Sequence, residues 1–396
     1  MKLNKERLLL FVLVLVQFTH IMDFMIMMPL AKTLQDVLSI SPLQFSYLIS
    51  VYTFSAGSFG FAGVFFLDKF DRRPALLITY LGFIAGTFAC ALSGDYISLL
   101  ISRAITGAFG GLQASLVLAI VSDAIPIQRR GKAIGFVMSA FSAAAVFGVP
   151  FGLYLSTVFT WNAPFLFVGL FAILIEVAAL FYTPSMKSHI REKTTSLFEP
   201  VKIIFTDKNM LKALLFTFLL ICSQFSVIPF IADYMLSNIH FTEMQLILMY
   251  TTGGGLTVFA MPVFGSLSDS FGKPRIFTIF GTLVIIPIFL VTNMVNVSTA
   301  MALVITSVFF VIVSGRMVPA TTMITAVVKP EHRGSFMSMR TSIQQFSSSI
   351  AAFMAGNLVT KNAAGIIVHY EWAGYLAIIL SILSVVIGRM LKMVEK

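Results

Sequence analysis

The sequence predicts an all-α integral membrane protein with twelve transmembrane helices in two pseudo-symmetric six-helix bundles. Of its 396 residues, 58% are hydrophobic and 11% are charged, whereas an ordinary soluble domain has roughly 45–50% and 25%. With so few polar side chains the apolar surface must face lipid, which excludes a water-soluble globule. Division of the chain by twelve leaves about 33 residues per unit, enough for a span of about 20 apolar residues and a short connection.

Apolar runs long enough to cross a bilayer recur at regular intervals. They cover residues 8–31, 44–66, 75–93, 97–121, 132–157, 163–183, 210–234, 244–268, 275–293, 299–326, 335–358 and 371–391. The longest polar interval predicts a cytoplasmic linker over residues 184–209, between an N-terminal bundle over 1–183 and a C-terminal bundle over 210–396. Within it, residues 197–205 form either a short amphipathic helix on the membrane surface or a plain connection.

Four landmarks recur in the two halves at offsets of 200, 201, 203 and 211 residues. The pairs are Pro29 and Pro229, Asp68 and Asp269, Arg130-Gly131 and Arg333-Gly334, and Trp161 and Trp372. Insertions in connecting loops produce such a drift, and parallel repeats of six helices are a known transporter architecture. The pattern therefore predicts a duplication.

The basic residues predict the orientation of the spans. Of the 27 lysines and arginines, 22 lie in the termini and the loops on the same side as the termini, and only Lys32 and Lys361 lie in the loops on the other side. By the positive-inside rule both termini are cytoplasmic. The net charge of +10 therefore reports topology and does not indicate a nucleic-acid partner, which needs a solvated basic domain.

Two loops share a pattern of a carboxylate, a turn and a basic end. Residues 265–275 read GSLSDSFGKPR, with Asp269, Gly272 and Lys273, and residues 63–73 of the first half read GVFFLDKFDRR, with Asp68 and Arg72. The first copy has Asp71 where the second has its turn glycine.

These loops resemble the motif G-x-L-x-D-x-x-G-[RK]-[RK] of the major facilitator superfamily. LLISRAITGAFGG (99–111) is similar to the helix-4 motif of that family. SAFSAAAVFGVPFG (139–152) resembles its helix-5 motif in the Gly-Val-Pro-x-Gly variant of the drug- and sugar-efflux branch, which includes arabinose-efflux-like permeases. Because the motifs stand in the correct order along the whole chain, the resemblance implies the major facilitator fold and secondary transport by alternating access.

The resemblance also implies roles for the loop carboxylates as a conformational latch. Asp68 would bond to the start of the eleventh span near Gly334, and Asp269 to the start of the fifth span near Gly131, where exposed backbone N–H groups attract a carboxylate. Asp123 would accept a hydrogen bond from Arg72. The alternative is an ordinary solvated basic loop.

Six charged residues fall inside the predicted spans, where each is a functional candidate: Asp23, Arg103, Glu176, Asp233, Arg316 and Arg340. Asp23 lies about 12 Å below the end of its span, at 1.5 Å per residue, and Arg103 lies at a similar depth. We predict a buried pair, with His20 on the same face one turn away. Such a pair either takes up a proton when its environment changes or is a permanent structural salt bridge.

Arg316 lies near the middle of the tenth span, where its partner is either an anionic group of the substrate or Glu176. The repeat offset does not place it opposite Arg103. Asp233 and Arg340 are close enough to helix ends to extend to the membrane surface, and we expect structural roles for them.

Two spans carry further patterns. Pro150, flanked by Gly148 and Gly152, predicts a bend in the fifth span because proline offers no N–H to the carbonyl four residues earlier. The eleventh span has a polar stripe at helical spacing, formed by Thr341, Gln345 and Ser348. That stripe suits either a cavity wall or helix packing through hydroxyls.

These features predict a proton-coupled antiporter that exports a small amphipathic or sugar-like solute across a bacterial inner membrane. A proton symporter importing a nutrient or organic anion is the alternative of the same class, and a membrane receptor that does not transport is the alternative of another class. We expect no enzymatic activity, metal or cofactor, because no catalytic or metal-ligand set and no nucleotide-binding motif occurs. The expected partners are the solute, protons and the lipid bilayer, and we expect a monomer.

Overall fold

The computed structural model describes residues 3–187, 199–295, 297–328 and 333–394. Within these ranges, the side chains that lie outside the description are those of residues 3, 4, 64, 66, 68, 127, 128, 199–201, 333 and 334.

The described chain is almost entirely helical. The α-helices are α1 (Leu3–Ile26), α2 (Ala31–Leu38), α3 (Pro42–Phe66), α4 (Arg72–Leu92), α5 (Tyr96–Ala124), α6 (Ile127–Ala143), α7 (Val149–Val158), α8 (Ala163–Tyr182), α9 (Glu199–Thr206), α10 (Lys208–Phe225), α11 (Ile228–Ser237), α12 (Glu243–Phe271), α13 (Lys273–Leu283), α14 (Ile285–Thr292), α15 (Thr299–Ala326), α16 (Arg333–Leu358) and α17 (Tyr370–Arg389). A 3₁₀ turn covers Leu67–Lys69, and a π-helical segment covers Ala144–Gly148. One short hairpin, β1 (Thr360–Lys361) and β2 (Ile367–Val368), joins α16 to α17.

The predicted all-α membrane fold is confirmed, and each predicted span is a helix or a run of joined helices. In the described residues, ten runs are long and apolar enough to cross a membrane, and the bent pair α2 and α3 makes eleven. α16 coincides with the remaining predicted span, and it carries the polar stripe. The two-residue strands were not predicted, because such short strands leave no periodic signal in the sequence.

Helix caps repeat in the two halves of the chain. At the start of α3 the Gln44 N–H donates to Ser41 Oγ and the Ser41 N–H donates to Gln44 Oε1, at 3.2 and 2.9 Å. At the start of α12, Thr242 and Gln245 form the same reciprocal pair at 3.3 and 2.9 Å. The two capping boxes satisfy helix N–H groups in the same way. Their offset of 201 residues matches the spacing of the loop carboxylates, which supports the duplication.

The chain divides into two compact units. Unit 1 comprises Met1–Met27 and Val51–Leu197, and unit 2 comprises Met28–Ser50 and Phe198–Lys396. The segment 28–50, which the sequence groups with the N-terminal bundle, therefore belongs to unit 2 by its contacts. The core of unit 1 is formed by apolar residues of α1, α4 and α5 that are fully buried, among them Leu13, Val16, Leu76, Tyr80 and Leu116.

Small side chains hold the segment 28–50 within unit 2. Ser50 Oγ donates to the Ser349 carbonyl at 3.0 Å, and Ser349 Oγ donates to the Ser50 carbonyl at 2.9 Å. A side chain at Gly356 would overlap Ser46. The first turns of α3 can approach α16 this closely because serine and glycine occupy the contact.

The fifth span changes helix type at the place where the sequence predicts a bend. Across the π-helical segment the Val149 N–H donates to the Ala144 carbonyl, five residues earlier. Pro150 follows at the start of α7 and has no N–H to donate. The wider turn before the proline therefore accommodates the interrupted hydrogen-bond ladder, as π-bulges do in other helices.

Glycines on α5 let it lie directly against α3 in unit 1. A Cβ at Gly107 would overlap the Tyr52 carbonyl oxygen, and a Cβ at Gly111 would overlap the Ala56 carbonyl oxygen. At Gly60 of α3 a Cβ would lie 3.2 Å from the Gly111 oxygen. The spacing of four residues on each helix places all these contacts on one seam, the geometry of a small-xxx-small interface.

The variant Gly111→Ala tests this seam. We expect it to lower the free energy of unfolding by about 1–3 kcal/mol, the usual effect of overpacking, as measured by thermal unfolding in detergent. Gly135→Ala is the matched control, since a Cβ at this exposed helical glycine meets no atom of the described structure within 4 Å. Equal stability of the two variants would contradict close contact between α3 and α5.

Candidate functional site

Asp23 and Arg103 form an ion pair in the interior of unit 1. Asp23 lies in the last turn of α1 and Arg103 in the second turn of α5, and both side chains are 0% exposed. Arg103 Nη1 donates to Asp23 Oδ2 at 2.7 Å, and Thr87 Oγ1 of α4 donates to Asp23 Oδ1 at 3.3 Å. Each carboxylate oxygen therefore has one donor. The two charges form the pair that we predicted from their similar depth in the first and fourth spans.

Tyr52 is a further contact of the guanidinium. Arg103 Cζ lies 4.0 Å from the centroid of the Tyr52 ring, so the cation rests on the negative face of the π-system. Tyr52 was not among the candidate residues. It begins the seam of α3 that faces Gly107 and Gly111, and the four-residue spacing of small residues in the two spans is the signal that points to it.

His20 contacts the tyrosine and not the carboxylate. Its ring stacks on Tyr52 with centroids 6.2 Å apart and meets the edge of Phe83 at 5.9 Å. Neither ring nitrogen has a hydrogen-bond partner among the described residues. His20 thus lies in the same cluster as Arg103, connected to it through one aromatic ring.

The helix-5 motif packs against the part of α1 that carries Asp23. A Cβ at Gly148 would lie 3.1 Å from Met22 Cγ, and a Cβ at Gly152 would overlap the side chain of Ile26. These α1 residues flank Asp23 in sequence. The two glycines around Pro150 therefore set how closely the fifth span approaches the part of α1 that carries the carboxylate.

The first loop motif is held by side chains of unit 1. Arg72 Nε donates to Asp123 Oδ2 at 2.8 Å, which is the contact proposed from the sequence. Asp71 caps α4 by accepting the Arg73 N–H at 3.1 Å. Asp71 also accepts the Met186 N–H at 2.8 Å and the Ser185 hydroxyl. Partial burial favours the neutral acid, but these hydrogen bonds outweigh it and hold the pKa of Asp71 below its usual value of 3.8.

The second loop motif has a different turn. Gly272 has a φ of +89°, in the region that glycine adopts without strain, and α13 begins at Lys273. Asp71 stands at the equivalent place with a φ of −58° and so needs no glycine. The side chain of Asp269 is exposed, and that of Asp68 lies outside the described residues. The latch therefore stays a prediction.

An ion pair that was not predicted joins the first turn of α6 to α1. Arg129 Nη1 and Nη2 donate to Glu6 Oε1 and Oε2 at 2.9 and 3.0 Å. This bidentate geometry is the strong form of a carboxylate–guanidinium contact. The sequence places both residues on the same membrane face but offers no signal for pairing charges 123 residues apart.

Arg316 is fully buried in unit 2 without a carboxylate partner among the described residues. Its Nη1 donates to Ser223 Oγ of α10 at 3.2 Å and to Ser381 Oγ of α17 at 3.1 Å. Nε and Nη2 have no hydrogen-bond partner in the described part of the chain. Glu176, the other predicted partner, is not among its contacts; this half-buried residue of α8 belongs to unit 1.

Asp233 is buried among polar side chains of unit 2. It is 0% exposed and accepts from Gln35 Nε2 at 2.7 Å and from Ser237 Oγ at 2.9 Å. Lys361 Nζ lies 3.1 Å from Asp233 Oδ2. The amine of Lys361, in β1, thus extends to the buried carboxylate of Asp233 in α11.

The polar stripe of α16 is satisfied largely within its own helix. Thr341 Oγ1 donates to the Met337 carbonyl at 2.9 Å, and Ser348 Oγ donates to the Gln344 carbonyl at 3.0 Å. Gln345 lies between them and is half-buried. The hydroxyls of Thr341 and Ser348 are therefore satisfied by carbonyls of α16. The stripe does not need hydrogen bonds from these hydroxyls to a neighbouring helix.

A double-mutant cycle tests the ion pair. We expect Arg103→Gln to lower the free energy of unfolding by about 3–5 kcal/mol, because it leaves the Asp23 charge buried and unpaired. Adding Asp23→Asn should restore part of this loss, with an interaction free energy of about 0.5–3 kcal/mol, as measured by thermal unfolding in detergent.

Tyr52→Phe is the matched control for this cycle. It keeps the ring against Arg103 and removes a hydroxyl that has no partner among the described residues, so we expect unchanged stability. Additive effects of the two charge substitutions would show that Asp23 and Arg103 do not interact.

Comparison with known proteins identifies the family of this chain. The family profile described as Major Facilitator Superfamily matches residues 13–352 and 213–396. The uncharacterised MFS-type transporter YwfA of Bacillus subtilis is 27% identical over 262 residues, covering 61% of this chain and 62% of that protein. A probable sugar efflux transporter of Mannheimia succiniciproducens is 24% identical over 189 residues, covering 48% of this chain and 47% of that protein. The chain thus spans about three fifths or less of the length of these curated relatives.

The fold is also found in solved structures. A bacterial homologue of the human lysosomal transporter Spinster, in an inward-facing and unoccupied conformation, superposes with a TM-score of 0.77. The superposition covers 99% of this chain and 98% of that chain at 16% sequence identity, so it is evidence for the fold alone. The family match spans most of the sequence, and the protein therefore belongs to the Major Facilitator Superfamily.

Proposed function

We propose that this secondary transporter is a proton-coupled antiporter, and that it exports a small amphipathic or sugar-like solute across a bacterial inner membrane. The observation that carries the proposal is the buried Asp23–Arg103 pair. The carboxylate has one cationic donor and one neutral donor, Thr87. Protonation of Asp23 weakens its attraction to Arg103 and changes the charge of the interior by one unit. A transporter that exchanges protons for solute needs a site of this kind.

The efflux direction rests on two similarities. The helix-5 motif of the chain has the Gly-Val-Pro-x-Gly form of the drug- and sugar-efflux branch, and its glycines contact α1 next to Asp23. A relative that aligns with nearly half of the chain is named a probable sugar efflux transporter. The first similarity concerns the fifth span and the second concerns nearly half of the chain, and both favour export.

Import of an organic anion with protons is the second candidate. The observation that favours it is Arg316, a buried guanidinium with two neutral hydroxyl partners. Counterflow under an imposed pH gradient distinguishes the two directions: solute uptake driven by inward proton flow would establish symport and exclude antiport. A receptor that binds without transporting would show neither symport nor antiport.

The Asp23→Asn variant tests the coupling. We expect it to abolish accumulation driven by a pH gradient while exchange at equilibrium persists, because asparagine keeps the volume of the side chain but carries no titratable proton. Transport is measured in proteoliposomes with a solute selected by thermal-shift screening of the wild-type protein at two pH values.

Exchange in the same vesicles shows that the Asp23→Asn protein is folded. Asp36→Asn is the matched control, since this exposed carboxylate pairs with Lys32 on the surface of α2, and it should keep both activities. Unchanged concentrative transport by Asp23→Asn would remove Asp23 from the mechanism.

The loop carboxylates form the second part of the proposal. With both termini cytoplasmic, Asp68 and Asp269 latch the cytoplasmic face in the outward-facing state, and the Arg72–Asp123 pair holds the first loop in place. A carboxylate at a helix N-terminus contributes about 0.3–1 kcal/mol. Loss of one latch therefore shifts the ratio of conformations only moderately.

Asp269→Asn tests the latch. We expect a shift toward the inward-open state of about two- to fivefold in population ratio, measured as spin-label distances between exposed positions 132 and 208. The native cysteines, Cys90 and Cys222, are buried and do not compete for the label. Glu243→Gln is the control because it removes an exposed carboxylate at the opposite end of the same helix, α12. Identical distance distributions for Asp269→Asn and wild type would refute the latch.

A further inference from the structure

Arg316 carries a positive charge that unit 2 does not neutralise among its described residues. The side chain is 0% exposed. A guanidinium stays protonated at any physiological pH, so the charge is present in the folded protein. Its partners, Ser223 and Ser381, are neutral hydroxyls that themselves donate to the carbonyls of Ala377 and Gly281. The serines therefore fix the position of Nη1 but supply no countercharge.

The unpartnered donors of Arg316 are Nε and Nη2. These two nitrogens form one edge of the planar guanidinium, with two N–H bonds pointing in the same direction. A carboxylate accepts both hydrogen bonds of such an edge at once, whereas a single ion such as chloride accepts them with poorer geometry. The free edge thus matches a carboxylate in both charge and shape.

Comparison of the repeats shows what unit 2 lacks. Ser223 follows Asp23 by 200 residues, the offset of the proline landmarks, so the second half has a hydroxyl where the first half has its buried carboxylate. Arg316 stands at the eighteenth residue of α15, as Gln113 does in α5. Gln113 donates to the Val16 carbonyl of α1 at 2.9 Å, as Arg316 donates to Ser223 of α10. The second half thus has a cation in place of a neutral amide, and no acid pairs with it in the part of unit 2 that the structure describes.

We propose that the free edge of Arg316, which Ser223 and Ser381 hold in place, binds the carboxylate of a small organic acid. The identification of this acid with the transported solute rests on the proposed transport function. The binding itself does not, because it is an equilibrium property of unit 2. The ligand supplies the negative charge that Asp23 supplies to Arg103 in the other half.

The test is thermal unfolding of the full chain in an uncharged detergent with acetate and benzoate as probes. Acetamide and benzamide are their neutral counterparts of similar size, and sodium chloride at equal ionic strength controls for chloride and for screening. We expect a concentration-dependent rise in the unfolding temperature with the carboxylates alone. Equal stabilisation by the amides or by chloride, or no stabilisation by either carboxylate, would overturn the proposal.

Arg316→Gln reproduces in unit 2 the residue type that unit 1 has at the equivalent position. We expect it to weaken carboxylate binding by at least about tenfold. Arg316→Lys keeps the charge but loses the pair of parallel N–H groups, so it should also weaken carboxylate binding. It replaces the glutamine variant if that variant does not fold. Arg389→Gln removes the same charge from a largely exposed residue of α17 and should bind as wild type does. Undiminished carboxylate stabilisation in Arg316→Gln would refute the site.

These outcomes are separable from those of the transport proposal. If carboxylates fail to stabilise the protein while Asp23→Asn abolishes proton-driven transport, the carboxylate site is excluded and the antiport proposal stands. If carboxylate binding depends on Arg316 while Asp23→Asn still accumulates solute, the site stands and the role of Asp23 in coupling is excluded.

Discussion

Every polar group inside a membrane protein must find its partner within the protein, and this constraint explains most of the local structure. Hydroxyls within the spans donate to the carbonyl four residues earlier, as Thr79, Thr106 and Thr217 do at 2.7–2.9 Å. Buried charges need stronger partners, because hydrocarbon offers no hydrogen bonds and little dielectric screening. The Asp23–Arg103 pair and the Asp233–Lys361 pair each bring opposite charges together from different elements of the fold. Arg316 has two hydroxyl partners but no carboxylate among the described residues, which is why it points to a ligand.

The close approach of helices makes those pairings possible. Gly107 and Gly111 let α5 lie against the backbone of α3, and this contact brings Tyr52 under the guanidinium of Arg103. Gly148 and Gly152 do the same for the fifth span against α1. In lipid, apolar burial gives no preference for one helix face over another, so packing of small residues decides which faces meet. The placement of the charges is therefore a consequence of where the glycines are.

The two halves share a plan and differ in chemistry. Capping boxes 201 residues apart start α3 and α12, yet Asp71 replaces the turn glycine and Phe353 stands where the repeat of Pro150 would be. The fifth span, which is interrupted by a π-helical segment, has a continuous helix, α16, as its counterpart. Unit 1 holds its carboxylate–guanidinium pair, and unit 2 holds a guanidinium with no carboxylate partner among its described residues. A duplicated scaffold thus carries a proton-binding candidate in one half and an anion-binding candidate in the other.

The sequence by itself determined the membrane class, the position of every span, the repeat and the shared depth of Asp23 and Arg103. These properties are local, since they follow from the length of apolar runs and from a rise of 1.5 Å per residue. The tertiary structure decided which side chains meet: Tyr52 with Arg103, Gln35 and Lys361 with Asp233, and Ser223 with Arg316. It also decided that segment 28–50 belongs to unit 2. Such contacts depend on the rotation of each helix about its axis, and a helix that is apolar on all sides carries little sequence signal for that rotation.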